Sequence, residues 1–239
     1  MTKLSVNINK IATLRNARGN NNPDVIKVAL DIEKFGSDGI TVHPRPDERH
    51  ITKNDVYELQ KVIKTEFNIE GYPDERYLSI IKDTKPSQAT LVPDKPEQLT
   101  SNHGWDTIKN NKELTDIIKT LKILSPTSRV SVFIDAKPDM VKGARDCGAD
   151  RVELYTQSYA ENYLRNKEKA IENFVKAAQC AKDCELGLNA GHDLSLENLE
   201  YFHKTIPYLD EVSIGHALVC DSLYYGLENT IKMYLSCLK

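Results

Sequence analysis

The chain has 239 residues, 40% of them hydrophobic and 28% charged, enough to bury a large core. Its net charge of −3, with both signs mixed along the chain, argues against a nucleic-acid footprint or a polybasic membrane patch, so any anion site must be local. No apolar run approaches membrane-spanning length, MTKLSVNINK carries no apolar targeting core, and the five cysteines lack metal-type spacing; a cytoplasmic protein with reduced cysteines is expected.

Taken in order, short β-rich runs alternate with amphipathic ones. LSVNI (4–8) reads as a strand, and PDVIKVALDIEKFG as a helix with Pro23 at its start and Gly36 as its C-cap. GITVH (39–43) precedes NDVYELQKVIK, FNIEG (67–71) precedes DERYLSIIKD, and ATLVP (89–93) precedes KELTDIIKTLKIL. RVSVFID (129–135) leads to PDMVKGARDCGA, and RVELY (151–155) to EKAIENFVKAAQCAKDC. LGLNA (186–190) leads to LENLEYFHKTI, and EVSIG (211–215) to a last helical pattern, SLYYGLENTIKMYLSCL.

Eight such units predict an α/β fold, a closed (β/α)8 TIM barrel in one domain over 1–239. A doubly wound open sheet is the alternative, but NINKIATLRNARG is not the Gly-rich first turn such a sheet usually carries. The connections 94–111 and 156–166 are too long for simple turns. They predict extra segments after strands four and six.

A barrel gathers its active site at the C-terminal ends of its strands. Those exits carry Asn7 and Asn9, His43 and Arg45, Glu70, Asp135, Glu153 and Thr156, Asn189 and His192, then Gly215 and His216. Five of the six histidines (43, 50, 103, 192 and 216) fall in exit segments, which predicts a proton-handling mouth. Glu70 ends a buried strand, where partial burial would raise its pKa toward that of a useful base; a structural ion pair with a rim arginine is the competing reading. In LNAGHDLS and SIGHA a glycine precedes a histidine where strand meets helix, a place suited to phosphate. Arg45, Arg49, Arg15 and Arg18 supply fixed charge for an anion. Arg49 has no second argument behind it and is read as solvated or ion-paired. The strand RVELY has no lysine for a Schiff base, and no His-x-His or His-Glu-x-x-His pattern is present, so acid/base chemistry is preferred to metal chemistry. A phosphosugar isomerase or aldolase, and a non-catalytic phosphometabolite-binding barrel, are the other readings these residues allow.

VNINKIATLRNARG (6–19), DGITVHPRPDERHIT, GADRVELYT (148–156), LNAGHDL (188–194) and SIGHAL (213–218) together resemble the pyridoxine 5'-phosphate synthase family, in order and over essentially the full chain. The resemblance implies (β/α)8 barrels assembled into homo-oligomers, commonly octamers. It implies condensation of 3-amino-2-oxopropyl phosphate with 1-deoxy-D-xylulose 5-phosphate, giving pyridoxine 5'-phosphate, phosphate and water without a metal or organic cofactor. By motif match His43 and Glu70 would be proton acceptors and His192 a proton donor. Asn7 and Arg18 would bind the amino-ketone phosphate, Arg18 by reaching a neighbouring subunit's site. Arg45, His50 and Thr100 would hold deoxyxylulose phosphate, and Asp193, Gly215 and His216 would line a phosphate pocket. Apart from the resemblance, closing a lid would exclude water and protect an imine, and the loop 94–111, containing Thr100 and His103, is the candidate. Asn9 and Lys10 stand where the motif has an acid and a histidine, and both are retained as substrate contacts. Lys10 supplies a point charge but no proton shuttle near neutrality. Asp193 stands where glycine is frequent; turned away as a helix N-cap it would be harmless.

Overall fold

Alternation along each strand decides which side chains meet the helices and which meet the lumen. The computed structural model describes residues 1–94 and 103–239. Its first half runs β1 (Lys3–Asn7), α1 (Asn9–Asn16), α2 (Val25–Lys34), β2 (Gly39–Val42), α3 (Lys53–Val62), β3 (Glu66–Gly71), α4 (Glu75–Thr84) and β4 (Gln88–Leu91). Next come α5 (Asn111–Leu124), β5 (Arg129–Ile134), α6 (Pro138–Asp146), β6 (Arg151–Tyr155), α7 (Gln157–Tyr163) and α8 (Lys167–Asp183). The chain finishes with β7 (Gly187–Gly191), α9 (Leu199–Thr205), β8 (Glu211–Ile214), α10 (His216–Tyr225) and α11 (Leu227–Ser236). The strands close in sequence order, β1 pairing with β8, and all eight pairings are parallel. The expected TIM barrel is observed.

The apolar half of each strand faces outward. Leu4, Val6, Ile40, Val42, Ile69, Leu91, Val132, Leu154, Val212 and Ile214 are wholly buried in the core. The other half fills the lumen and is polar, where barrels of this class usually stack branched aliphatic side chains. Ser5 Oγ meets Thr41 Oγ1 at 2.7 Å, Asn68 Nδ2 donates to Thr41 Oγ1 at 3.3 Å, and Thr90 Oγ1 donates to Asn68 Oδ1 at 2.9 Å. Between the neighbouring strands β7 and β8, Asn189 Nδ2 donates to Glu211 Oε1 at 3.2 Å. At the N-terminal end Lys3 and Arg129 both grip Glu66. Buried polar groups are costly unless hydrogen-bonded; these side chains pair with one another and give the mouth a polar floor, while Arg129 Nε and Ser131 Oγ lack a partner among the described residues.

Helix starts follow their caps. Asp24 accepts from Ile26 and Lys27 N–H to start α2, so the helix begins after Pro23 rather than on it, and Gly36 beyond its end takes φ 106°. Thr52 and Asp55 form a reciprocal capping box on α3. The final helical pattern differs from expectation. It begins earlier, at His216, and breaks at Gly226, whose φ of 75° no helix interior accepts, giving α10 and α11. Helix α1 directly follows β1 and carries Asn9 and Lys10 on its first turn. The extra segment expected after β6 is α7. After β4, the part of the long connection from residue 103 onward is fastened to β5: Trp105 N–H donates to the Phe133 carbonyl at 2.8 Å and Gly104 N–H to Asp135 Oδ1 at 3.1 Å. No helix among the described residues is long and apolar enough to cross a membrane.

Candidate active site

At the C-terminal mouth lies a cavity of about 690 Å³. Asn7, Asn9, Lys10, His43, Arg45, Arg49 and His50 line one side, and His192, Asp193, Gly215 and His216 the other. Glu70 and Glu153 reach in from the barrel, while Val92 and Phe133 form an apolar wall that continues into Tyr155. The volume suits a small phosphorylated metabolite or two.

His43 follows β2 and Glu70 ends β3, neighbouring strands, so their side chains converge. His43 Nδ1 stands 3.9 Å from Glu70 Oε2, with the two side chains 8% and 13% exposed. Burial, reinforced by Arg45, His50 and Arg49, holds the His43 imidazole well below its ordinary pKa. Burial, reinforced by Asp94 and Glu211 and opposed by Arg45, pushes the Glu70 carboxyl up to about 8. Near neutrality the pair is therefore a neutral imidazole beside a protonated acid, not an ion pair. Asn7 Nδ2 donates to Glu70 Oε2 at 3.4 Å, and Asn7 Oδ1 accepts from Asn9 N–H at 3.1 Å. Asn9 Oδ1 in turn accepts the His43 backbone N–H at 2.9 Å. Asn9 thus fixes the exit of β2 as well as lining the cavity.

The arginine loop is anchored by carboxylates. Arg45 is buried and meets Asp94 at 2.5 Å. Arg49 pairs with Asp47, its Nε donating to Asp47 Oδ2 at 2.6 Å, as its reading as an ion-paired residue anticipated. Arg15, proposed as fixed charge for an anion, instead forks onto Asp55 at 2.6 and 2.8 Å, behind the loop. His50 is held at about 4 by burial and by Arg45, Lys10 and Arg49, so it serves as a neutral hydrogen-bonding group. Its Nδ1 accepts the Ile51 N–H at 2.9 Å.

On the opposite rim α10 begins at the cavity with Gly215 as its N-cap residue. A Cβ on Gly215 would sit 3.0 Å from Asn7 Cβ, so glycine eases the close approach of the β8 exit to β1. Gly215, His216 and Ala217 at this helix start line the cavity, and a helix N-terminus is a favourable place for negative charge. No cluster of three or more metal-type side chains forms among the described residues.

Comparison with known proteins supplies the lineage of this arrangement. Residues 4–239 match the family model for pyridoxal phosphate biosynthesis protein PdxJ. The chain belongs to this family. The pyridoxine 5'-phosphate synthase of Cytophaga hutchinsonii is 60% identical over 239 residues, and that of Bacteroides thetaiotaomicron 59%, each covering all of both chains. Among solved structures, a phosphoribosylanthranilate isomerase from Thermotoga maritima aligns with TM-score 0.61 at 12% identity, covering 100% of this chain and 98% of that one. KGPDC from Streptococcus mutans aligns with TM-score 0.64 at 10% identity, covering 100% and 97%. These likenesses show the barrel alone.

Most residues expected from the PdxJ-family motifs share this one cavity: Asn7, Asn9, Lys10, His43, Arg45, His50, Glu70, His192, Asp193, Gly215 and His216 all line it. Arg18 does not; it is exposed beyond the end of α1. Thr100 lies outside the described residues, and His103 is exposed on the connection after β4. Asp193 is not an N-cap turned away, because its carboxylate engages His192 Nδ1 at 2.7 Å. Three features were missed. Asp94 is the buried partner of Arg45. Phe133 and Tyr155 make the apolar wall. Glu153, an exit residue in the sequence, is 3% exposed at the cavity floor, with Oε2 lacking a partner among the described residues. Burial, then Glu70 and Glu211, drive its pKa well above the ordinary range. An acid in the middle of an apolar strand was the available signal.

Proposed function

We propose that this PdxJ-family barrel is a pyridoxine 5'-phosphate synthase. It joins 3-amino-2-oxopropyl phosphate to 1-deoxy-D-xylulose 5-phosphate and closes the ring, releasing phosphate and water. Among the structural features, the one that most supports this chemistry is the neutral His43–Glu70 pair between two anion-adapted rims of one cavity. Imine formation, dehydration and ring closure each move a proton. A neutral imidazole accepts one, and a carboxylic acid that keeps its proton to about pH 8 donates one and then, as carboxylate, takes the next. His192 on the far rim is the proposed donor to the departing oxygen. Two anionic substrates require two anion sites. Arg45, Lys10 and His50 suit deoxyxylulose phosphate; Asn7 and the N-terminus of α10 at Gly215 and His216 suit the amino-ketone phosphate.

The same reading takes residues 1–239 as one catalytic domain in a cytoplasmic homo-oligomer, an octamer by family resemblance, using side chains and backbone without metal or organic cofactor. Arg18, exposed and remote from its own cavity, is assigned to a neighbouring subunit's site. Thr100, outside the described residues, is assigned to the deoxyxylulose phosphate site by family resemblance.

The test is incubation of the purified chain with both substrates, following pyridoxine 5'-phosphate by chromatography and phosphate release in parallel. Product formation dependent on both substrates is expected. Isomerised sugar phosphate without ring product would move the protein to an isomerase activity, and binding without turnover to a non-catalytic role.

A further inference from the structure

β7 ends in a backbone conformation that side chains usually avoid. His192 has φ 96°, a region where any residue but glycine is strained unless its surroundings hold it there. The next residue is pinned at both ends of its backbone. Asp193 N–H donates to Thr156 Oγ1 at 3.1 Å, and Asn198 Nδ2 donates to the Asp193 carbonyl at 3.3 Å. Thr156 and Asn198 are themselves buried, and Thr156 Oγ1 donates to the Gly191 carbonyl at 2.7 Å. This fastening delivers Asp193 Oδ2 to 2.7 Å from His192 Nδ1. Tyr155 meets the imidazole edge-on at 5.2 Å and 83°.

We propose that Asp193 is a positioning residue: its carboxylate takes the Nδ1–H of His192, fixes that tautomer and ring orientation, and directs Nε2 to the substrate. A carboxylate can only accept, so the hydrogen between the two groups sits on Nδ1. Proton exchange with substrate then belongs to Nε2, the arrangement by which a carboxylate prepares an imidazole for acid/base work. The role also accounts for an acid on an anion-binding rim. The Asp193 charge is directed at the imidazole, and a direct contact with a phosphate would be repulsive. The inference rests on the reading of His192 as the proton donor.

The experiment compares the full chain with Asp193→Gly and Asp193→Asn by ¹⁵N NMR of labelled histidine, at a pH where the ring is neutral, alongside steady-state kinetics. The asparagine variant keeps the volume should the glycine variant fold poorly. Its amide donates as readily as it accepts, so it no longer enforces one tautomer. The expected result is an Nδ1–H tautomer of His192 in the parent chain and loss of that preference in both variants. The kcat should fall about tenfold or more, with KM for both substrates little changed. An unchanged tautomer would overturn the proposal, as would a raised KM at constant kcat, which would make Asp193 a substrate contact. The underlying reading is tested apart, by His192→Gln. If that variant keeps its kcat the proton-donor role fails, while the tautomer in the Asp193 variants still decides what the carboxylate does.

Discussion

His43 Nδ1 and Glu70 Oε2 face each other across 3.9 Å from the ends of adjacent strands. Burial disfavours the charge on both, so one proton is held by the carboxyl and the imidazole stands ready to accept another. Glu70→Gln keeps the shape and an acceptor for Asn7 but cannot exchange a proton. Its kcat is expected to drop by roughly 10²–10⁴-fold, the usual contribution of a positioned acid/base group, with both KM values nearly constant. His43→Ala should behave in the same way. A large KM increase at unchanged kcat in either variant would assign these groups to binding instead.

The same carboxyl couples stability to pH. Its folded value of about 8 lies above its ordinary value of 4.5, so between them the folded chain holds a proton that the unfolded chain has released. That contribution is full below about 4.5 and is lost as pH rises through about 8. His50 has the opposite sign: held at about 4, its contribution is present above pH 6.5 and lost as pH falls. Urea unfolding of the parent and Glu70→Gln from pH 5 to 8 cancels the His50 part. The stability difference should shift against the parent by up to about 1.4 kcal/mol per pH unit. A difference independent of pH would mean that Glu70 is ionised in the fold.

The sequence reading found all eight strands because Leu4-Ser5-Val6-Asn7, Phe67-Asn68-Ile69-Glu70 and their counterparts alternate with period two. Alternation says that the two faces differ without saying which one is the lumen, and the polar interior was consequently not foreseen. Helix α1 escaped because only Ile11, Ala12 and Arg15 on it are buried, too few to mark an apolar stripe. The strand-exit rule found His43, Glu70 and His192, since exits depend only on strand ends. The Arg45–Asp94 pair, 49 residues apart, and the Asp193–His192 contact, set by the φ of one residue, leave no trace in residue spacing.

Arg45 carries two duties that mutation can separate. Facing buried Asp94, it offers a guanidinium fork to a phosphate. Arg45→Ala removes both the fork and the cation beside a buried carboxylate, and is expected to cost about 3–5 kcal/mol of stability together with affinity for deoxyxylulose phosphate. Arg45→Ala/Asp94→Asn should regain much of the stability in thermal unfolding but none of the affinity. Intact affinity for deoxyxylulose phosphate in either variant would refute the phosphate role.

Arg18 provides a test of shared sites. If it completes a neighbour's cavity, Arg18→Ala and His43→Ala oligomers are each nearly inactive. Mixed and allowed to exchange subunits, they form some sites with His43 from one chain and Arg18 from the other. Activity should reappear on mixing, up to about a quarter of the parent value by random pairing, each site keeping both residues intact in one arrangement of four. Additive residual activities, under conditions where subunit exchange is shown by tagged copies, would place Arg18 outside every site.

Gly191 links the floor of the cavity to its rim. A Cβ there would come within 2.5 Å of Glu153 Oε1 and 2.8 Å of the Ser213 carbonyl. The backbone oxygen belongs to β8 and cannot yield cheaply, so the acid must move or the β7 exit must shift. Gly191→Ala is expected to cost about 1–3 kcal/mol, as overpacked cores do. Because His192 follows directly, it should also displace the proposed donor and lower kcat. Adding Glu153→Asp shortens the obstructing acid and relieves only one of the two contacts. Partial recovery of stability without recovery of kcat is therefore expected, measured by urea unfolding and by turnover. Full recovery of both would show that the Glu153 contact alone limits this position and that the Ser213 carbonyl accommodates a side chain.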